Sequence, residues 1–253
     1  RIFLKIPTIQ KNTKQKLDQA FPGLNAYVTA RTAFFDQLYV RALQENIPQI
    51  VMLGAGYDSR PYRFAELNQD TLIFELDKPT TQNKKKQSLK KAGIAIPDFV
   101  RFVPIDLNQV TLDLALGTAG YQSNKTTLFT WEGVSYYLDP VSVDKTLKFF
   151  SKNSNEDSIL AFDYMIAIDE DNADQYFGSK SFVQSMQDEH PDEQILFSLK
   201  EGEITAFLHQ KGLQVGHHFS TEEIERRYGS DEQGESIGKI TGHFRFVLAK
   251  PKI

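Results

Sequence analysis

Leu53-Gly54-Ala55-Gly56-Tyr57-Asp58-Ser59-Arg60 is the stretch on which the reading of this chain turns. It follows Gln49-Ile50-Val51-Met52-Leu53, a short apolar run that stops at Gly54 and reads as a buried strand. Glycines directly after a strand let the backbone turn sharply and let a ligand lie against the main chain, where a Cβ would intrude. The third glycine of the dinucleotide fingerprint is absent, its position being held by Ser59. No Lys-Ser/Thr pair marks the loop as a phosphate cradle either. Taken alone, the stretch also admits a plain strand-to-helix turn, as the lesser reading.

The acids behind it sharpen the reading. The next strand, Thr71-Leu72-Ile73-Phe74-Glu75-Leu76, runs into Asp77, about twenty residues beyond the glycines, the place of a ribose-binding acid. Glu75 and Asp77 alternate on an extended chain and share a side, so one is expected to bond a ribose and the other to support it. Phe99-Val100-Arg101-Phe102-Val103 is a third strand, followed by Asp106 and Leu107, where a carboxylate can accept from an adenine amine. A fourth, Thr126-Thr127-Leu128-Phe129-Thr130-Trp131, continues into Glu132-Gly133-Val134-Ser135-Tyr136-Tyr137-Leu138. A carboxylate with adjacent tyrosines suits a cationic group, by charge and by cation–π contact.

Working outward, Tyr27 to Glu45 has helical spacing, as do Thr80 to Lys91, Pro140 to Phe150 and Glu203 to Lys211. Ser158 to Asp163 is a fifth strand. Strands separated by single helices imply parallel pairing with right-handed crossovers. Leu213 to Phe219 and His243 to Ala249 read as two late strands joined by a polar connection, an antiparallel edge to a parallel sheet.

Composition bounds the function. The chain has 253 residues, and 29 Lys and Arg against 33 Asp and Glu give 29 − 33 = −4. With 40% hydrophobic and 25% charged residues it has the mix of a globular protein, and its mild acidity argues against a general nucleic-acid binder. No apolar run reaches about 18 residues, so no membrane span is expected. Without Cys there are no disulfides, thiolate nucleophiles or Cys-bound zinc. Arg1 to Lys5 is too short an apolar stretch for a signal peptide, and a cytoplasmic enzyme is expected.

Other signals are set aside. Asp169 to Asp174 lacks the Gly and the twelfth-position acid of a calcium loop. His217 and His218 face opposite ways on a strand, and no H-E-x-x-H occurs, so no metal is expected. Lys84-Lys85-Lys86 with Lys90-Lys91 reads as a solvated helix face. Tyr121 with Lys125 and Tyr176 with Lys180 fit Tyr-x-x-x-Lys, the pair of an NAD(P)-dependent short-chain dehydrogenase, the enzymatic alternative. That pair needs one helix face, which neither stretch offers.

Together with Ala30-Arg31-Thr32-Ala33-Phe34-Phe35-Asp36, the glycine turn, Phe74-Glu75-Leu76-Asp77, Asp106-Leu107 and Trp131 to Leu138 resemble the leucine carboxyl methyltransferase-like family of S-adenosylmethionine-dependent methyltransferases, which includes bacterial O-methyltransferases. The match covers about residues 24–164. The resemblance implies an α/β, Rossmann-like class I fold: a seven-stranded, mostly parallel sheet with an antiparallel last strand. It also implies S-adenosyl-L-methionine as cofactor and O-methylation of a small-molecule carboxylate or hydroxyl. Arg31 would pair with the cofactor's carboxylate, and Gly54, Ala55 and Gly56 would line it. Asp77 would hold the ribose, Asp106 and Leu107 would frame the adenine, and Glu132 would sit near the ammonium. A single domain over 1–253 is expected, with residues 1–47 as a helical extension and 165–200 as an insertion capping the acceptor. The catalytic residues stay open, with Tyr136 and Tyr137 as candidates. A non-catalytic binder of the same cofactor is the alternative outside enzymes, and the oligomeric state is left open.

Overall fold

The computed structural model describes residues 19–189, 194–231 and 233–252. Five strands, β1 (Gln49–Leu53), β2 (Leu72–Asp77), β3 (Val100–Pro104), β4 (Thr127–Trp131) and β5 (Ile159–Met165), pair parallel in the order β3-β2-β1-β4-β5. The sheet is completed by β6 (Leu213–Phe219) and β7 (Phe244–Pro251). β7 lies between β5 and β6, antiparallel to both, so β6 again runs with the first five. Six strands point one way and the last one the other, as expected.

The strands buried on both faces are continuous apolar runs; every residue of β1 and of β4 is buried. One face carries α4 (Leu112–Ala119), α5 (Pro140–Lys152) and α7 (Ile204–Gln210), packed on Leu53, Phe74, Phe129, Trp131, Phe162 and Val247. The other carries α1 (Leu24–Gln44), α3 (Pro79–Ala92) and α8 (Thr221–Tyr228). A single short turn, α2 (Arg60–Arg63), follows the glycine loop, and α6 (Ser179–Glu189) lies in the stretch expected as an insertion.

Several elements differ from the sequence reading. The connection between β6 and β7 contains α8, started by the Ser220 hydroxyl accepting from the Glu223 amide. Its polarity concealed a helix with Glu222 and Glu223 in the first turn and Arg226 and Arg227 in the last, the charges a helix dipole favours. α1 is a core helix as much as an extension: Tyr27 stacks on Phe244 at 4.0 Å and Phe34 on Phe246 at 4.7 Å. The lysine cluster on α3 is a solvated face except at Lys85, which is buried and bonds Glu75 at 2.6 Å. Glu75 also accepts from the Tyr62 hydroxyl. Its carboxylate therefore belongs to the helix layer instead of reaching a ligand beside Asp77.

Candidate functional site

Strand order reverses between β1 and β4, whose C-terminal ends therefore part into a crevice, the usual ligand position in an open α/β sheet. A cavity of about 360 Å³ opens there, within the range of small-molecule sites. The glycine turn, the segment 132–134 after β4, and Arg31 and Thr32 of α1 line it. Backbone geometry explains the residue types. Gly54 has φ of 69°, and a Cβ on it would come within 2.6 Å of the Val134 side chain. Gly133, also at φ 69°, has the Arg31 guanidinium where its Cβ would be, about 3.0 Å away. A side chain at either position would collide with Val134 or crowd Arg31 and strain the backbone.

The walls are charged. Arg31 donates from Nε to Glu132 Oε1 at 3.2 Å and from Nη1 to Asp163 Oδ2 at 3.4 Å. Arg60 donates from Nη1 to Glu132 Oε2 at 2.7 Å and from Nε to Asp36 Oδ1 at 2.6 Å. It also pairs with Asp58. Asp163, wholly buried within β5, two residues before its end, accepts from the Tyr27 hydroxyl at 2.5 Å and from the Gly133 amide at 2.6 Å. Burial pushes the Glu132 carboxyl above its ordinary range, against the pull of Arg60 and then of Arg31.

Of the residues expected from sequence, Arg31, Gly54, Ala55, Gly56 and Glu132 meet in this one cavity. Asp77 is tied to its rim: Oδ2 accepts from the Gly56 amide at 2.7 Å and Oδ1 from the Lys78 amide at 2.7 Å, which leaves each oxygen a further lone pair. Asp106 and Leu107 lie beyond that lining. Asp106 faces Lys78 at 3.6 Å, and Leu107 lines a second hollow of about 320 Å³ with Val110 and Phe149. Tyr136 is buried; its hydroxyl accepts from Arg31 Nη1 at 3.3 Å, and burial first, then Asp163, raise its phenol well above the ordinary value. Tyr137 lies beside it, ring centroids 4.7 Å apart and partly exposed. Sequence reasoning missed Tyr27, Asp36, Arg60 and Asp163 as members of this network. The only signal for Asp163 was an acid ending a fifth strand.

The residues of the dehydrogenase alternative are elsewhere. Tyr121 and Lys125 fall in a turn, where the Tyr121 hydroxyl donates to the Asn153 carbonyl, and Tyr176 precedes the helix on which Lys180 lies. Among the described residues no group of three or more His, Asp and Glu is placed to hold a metal ion, and no helix is long and apolar enough to cross a membrane.

Residues 3–151 match the model of the leucine carboxyl methyltransferase family. A provisional S-adenosyl-L-methionine-dependent methyltransferase of Mycolicibacterium gilvum (strain PYR-GCK) is 36% identical over 146 residues, 58% of each chain. Another, YktD of Bacillus subtilis (strain 168), is 27% identical over 87% of this chain and 72% of its own. Against several other curated relatives, the chain spans under half of their length. Among solved structures, a provisional methyltransferase from Thermobifida fusca YX superposes with a TM-score of 0.65 at 13% identity, over 97% of this chain and 89% of that one. This last likeness speaks to the fold.

Proposed function

The chain belongs to the leucine carboxyl methyltransferase family, and from that premise we propose that it is an S-adenosylmethionine-dependent methyltransferase acting on an oxygen of a small-molecule carboxylate or hydroxyl. The observation that carries this reading is the cavity at the β1/β4 switch point. It is lined by a cation and an anion, Arg31 and Glu132, and by Gly56, whose amide holds the Asp77 carboxylate at its rim. That spread of charge suits a ligand with an amino-acid zwitterion at one end and a ribose diol at the other. Gly56, at φ 48°, has only the Gly54 carbonyl within 4 Å of the place of a Cβ, which leaves its main chain open to close approach.

In this reading Arg31 takes the cofactor's carboxylate, Glu132 its ammonium and Asp77 the ribose hydroxyls, while Asp106 and Leu107 stand toward the adenine. When bound, the cofactor supplies a sulfonium methyl group and a neutral thioether leaving group. The chain itself orients the acceptor oxygen in line and keeps water out, a contribution worth on the order of 7–11 kcal/mol in favourable cases. Tyr136, its phenol held protonated by burial, braces Arg31 instead of accepting a proton. A carboxylate acceptor needs no base at all. In this reading the 165–200 stretch caps the acceptor, which is supported by the Leu196 and Phe197 amides donating to the Tyr136 carbonyl at 2.8 and 3.2 Å.

Calorimetric titration with S-adenosylmethionine, S-adenosylhomocysteine and NADPH tests the cofactor. Saturable binding of the first two alone is expected, and binding of NADPH alone would overturn the reading. Transfer of a labelled methyl group to a panel of carboxylic acids and phenols then tests the reaction. Cofactor binding without transfer to any acceptor would leave a binding protein.

A further inference from the structure

Arg60 is a buried cation for which that reading has no use. Its side chain is 5% exposed and makes three acidic contacts, with Asp36 of α1, Asp58 of the glycine turn and Glu132 after β4. Its Nη2 also donates to the Thr32 carbonyl at 3.2 Å. One guanidinium thus joins three separate stretches of chain that wall the cavity.

Charge alternates along that wall: Asp163, Arg31, Glu132, Arg60. The two middle members line the cavity at 18% exposure; Arg60, at 5%, reaches its lining as well, and Asp163, at 0%, is outside it. The middle link is a single contact of 3.2 Å, longer than the 2.7 Å bond from Arg60 to Glu132. A zwitterion that enters with its carboxylate toward Arg31 and its ammonium toward Glu132 replaces this link and preserves the alternation. The exchange is favourable only if Glu132 stays ionised and fixed while Arg31 leaves it, because a partly buried charge stripped of its partner is costly.

We propose that Arg60 is a positioning residue for the amino-acid end of the cofactor, holding Glu132 ionised and aimed while Arg31 turns from Glu132 to the incoming carboxylate. This rests on the site reading given above. The groups facing Glu132 are Arg31 from α1, Arg60 from α2, Asp58 from the glycine turn and Asp163 from β5. Burial, Asp58 and Asp163 raise its carboxyl, and Arg60 leads the opposition, ahead of Arg31. Without Arg60, Glu132 protonates more readily and a neutral acid no longer holds an ammonium.

The test is titration of the whole chain with S-adenosylhomocysteine and with 5′-methylthioadenosine, which lacks the amino-acid end, at pH 6 and pH 8. The wild-type chain must prefer the first ligand; if it binds neither, or both alike, the site reading fails and this proposal with it. Arg60→Gln is expected to weaken S-adenosylhomocysteine about ten-fold or more, as for loss of a charge-assisted bond, and more at pH 6 than at pH 8. Its affinity for 5′-methylthioadenosine should stay within about two-fold, and Arg60→Lys, which keeps the charge but loses the guanidinium fork, should recover part of the loss. Equal losses for both ligands would make Arg60 a structural strut and overturn the proposal, as would undiminished binding of S-adenosylhomocysteine. If Arg60→Gln does not fold, Arg60→Lys decides by the same ordering with a smaller loss.

Discussion

Asp77 accepts one backbone amide on each carboxylate oxygen, from Gly56 and from Lys78. The first of these bonds holds the glycine turn against the end of β2; in the proposed reading the remaining lone pairs serve a ribose diol. Asp77→Ala is therefore expected to lower S-adenosylhomocysteine affinity about 10- to 100-fold, the range for lost hydrogen bonds to a charged group. The protein should remain folded, because Asp77 is only half-buried at a strand end. Calorimetry beside a thermal melt checks both parts, and unchanged affinity would refute the ribose assignment. His243 shows a different residue-scale effect. It is fully buried beside Thr241, and burial, then Arg245, push its imidazole down to about 3. The unfolded chain takes up this proton near pH 6.5, the folded chain only near pH 3. The stability it contributes is thus present above about pH 6.5 and lost as pH falls toward 3, at up to about 1.4 kcal/mol per pH unit. Urea unfolding at pH 7, 6 and 5 should show that slope in the wild type and a shallower one in His243→Gln.

At the scale of elements, α1 decides most. Its buried side carries Tyr27, Phe34, Phe35 and Tyr39, and the same helix delivers Arg31 and Asp36 to the site. Docking of this helix on the sheet is therefore a condition of the site and not only of stability. Phe34 meets Phe35, Phe219, Tyr228 and Phe246 at ring distances of 4.7–5.8 Å. Phe34→Ala should cost about 3–5 kcal/mol, the usual range for emptying an aromatic from a core. It should also weaken S-adenosylhomocysteine binding, since Arg31 is one helical turn away. A destabilised variant with full affinity would separate the two roles and count against this coupling. β7 is the second decisive element: by entering between β5 and β6 it completes the face on which Tyr27 and Phe34 stack, which a parallel sixth strand at the edge would not.

Across the whole molecule, the site draws on α1, the glycine turn, the ends of β2 and β4, β5, and α2, joining residues up to 136 apart in sequence. A ligand bridging them binds only the folded state. At about 100 times its Kd, S-adenosylhomocysteine should stabilise the chain by about 2.7 kcal/mol and raise the melting temperature by about 5–10 °C. NADPH at the same concentration should leave it unchanged. A thermal melt with each ligand measures this, and a shift with NADPH alone would speak for the dinucleotide reading.

Periodicity and apolar runs were enough to show that strands alternate with helices, because a strand buried on both faces must be apolar throughout and a crossover helix must alternate with it. They located β1 and β6 residue for residue, and the acids following three successive strands marked Asp77, Asp106 and Glu132. The place of β7 in the sheet was not legible in this way, nor was α8, whose polar residues resemble a loop until charge order along a helix is considered. Tertiary structure alone assigned Glu75 to Lys85 and Tyr62 in the helix layer, although its spacing from Asp77 put both on one side. It alone also brought Tyr27, Asp36, Arg60 and Asp163 into one charged wall. The physical reason is the range of the interactions. Burial and hydrogen bonding of the backbone impose local patterns that a sequence displays, whereas a buried charge must find its partner in space, and the chain shows that partner only once its elements have packed.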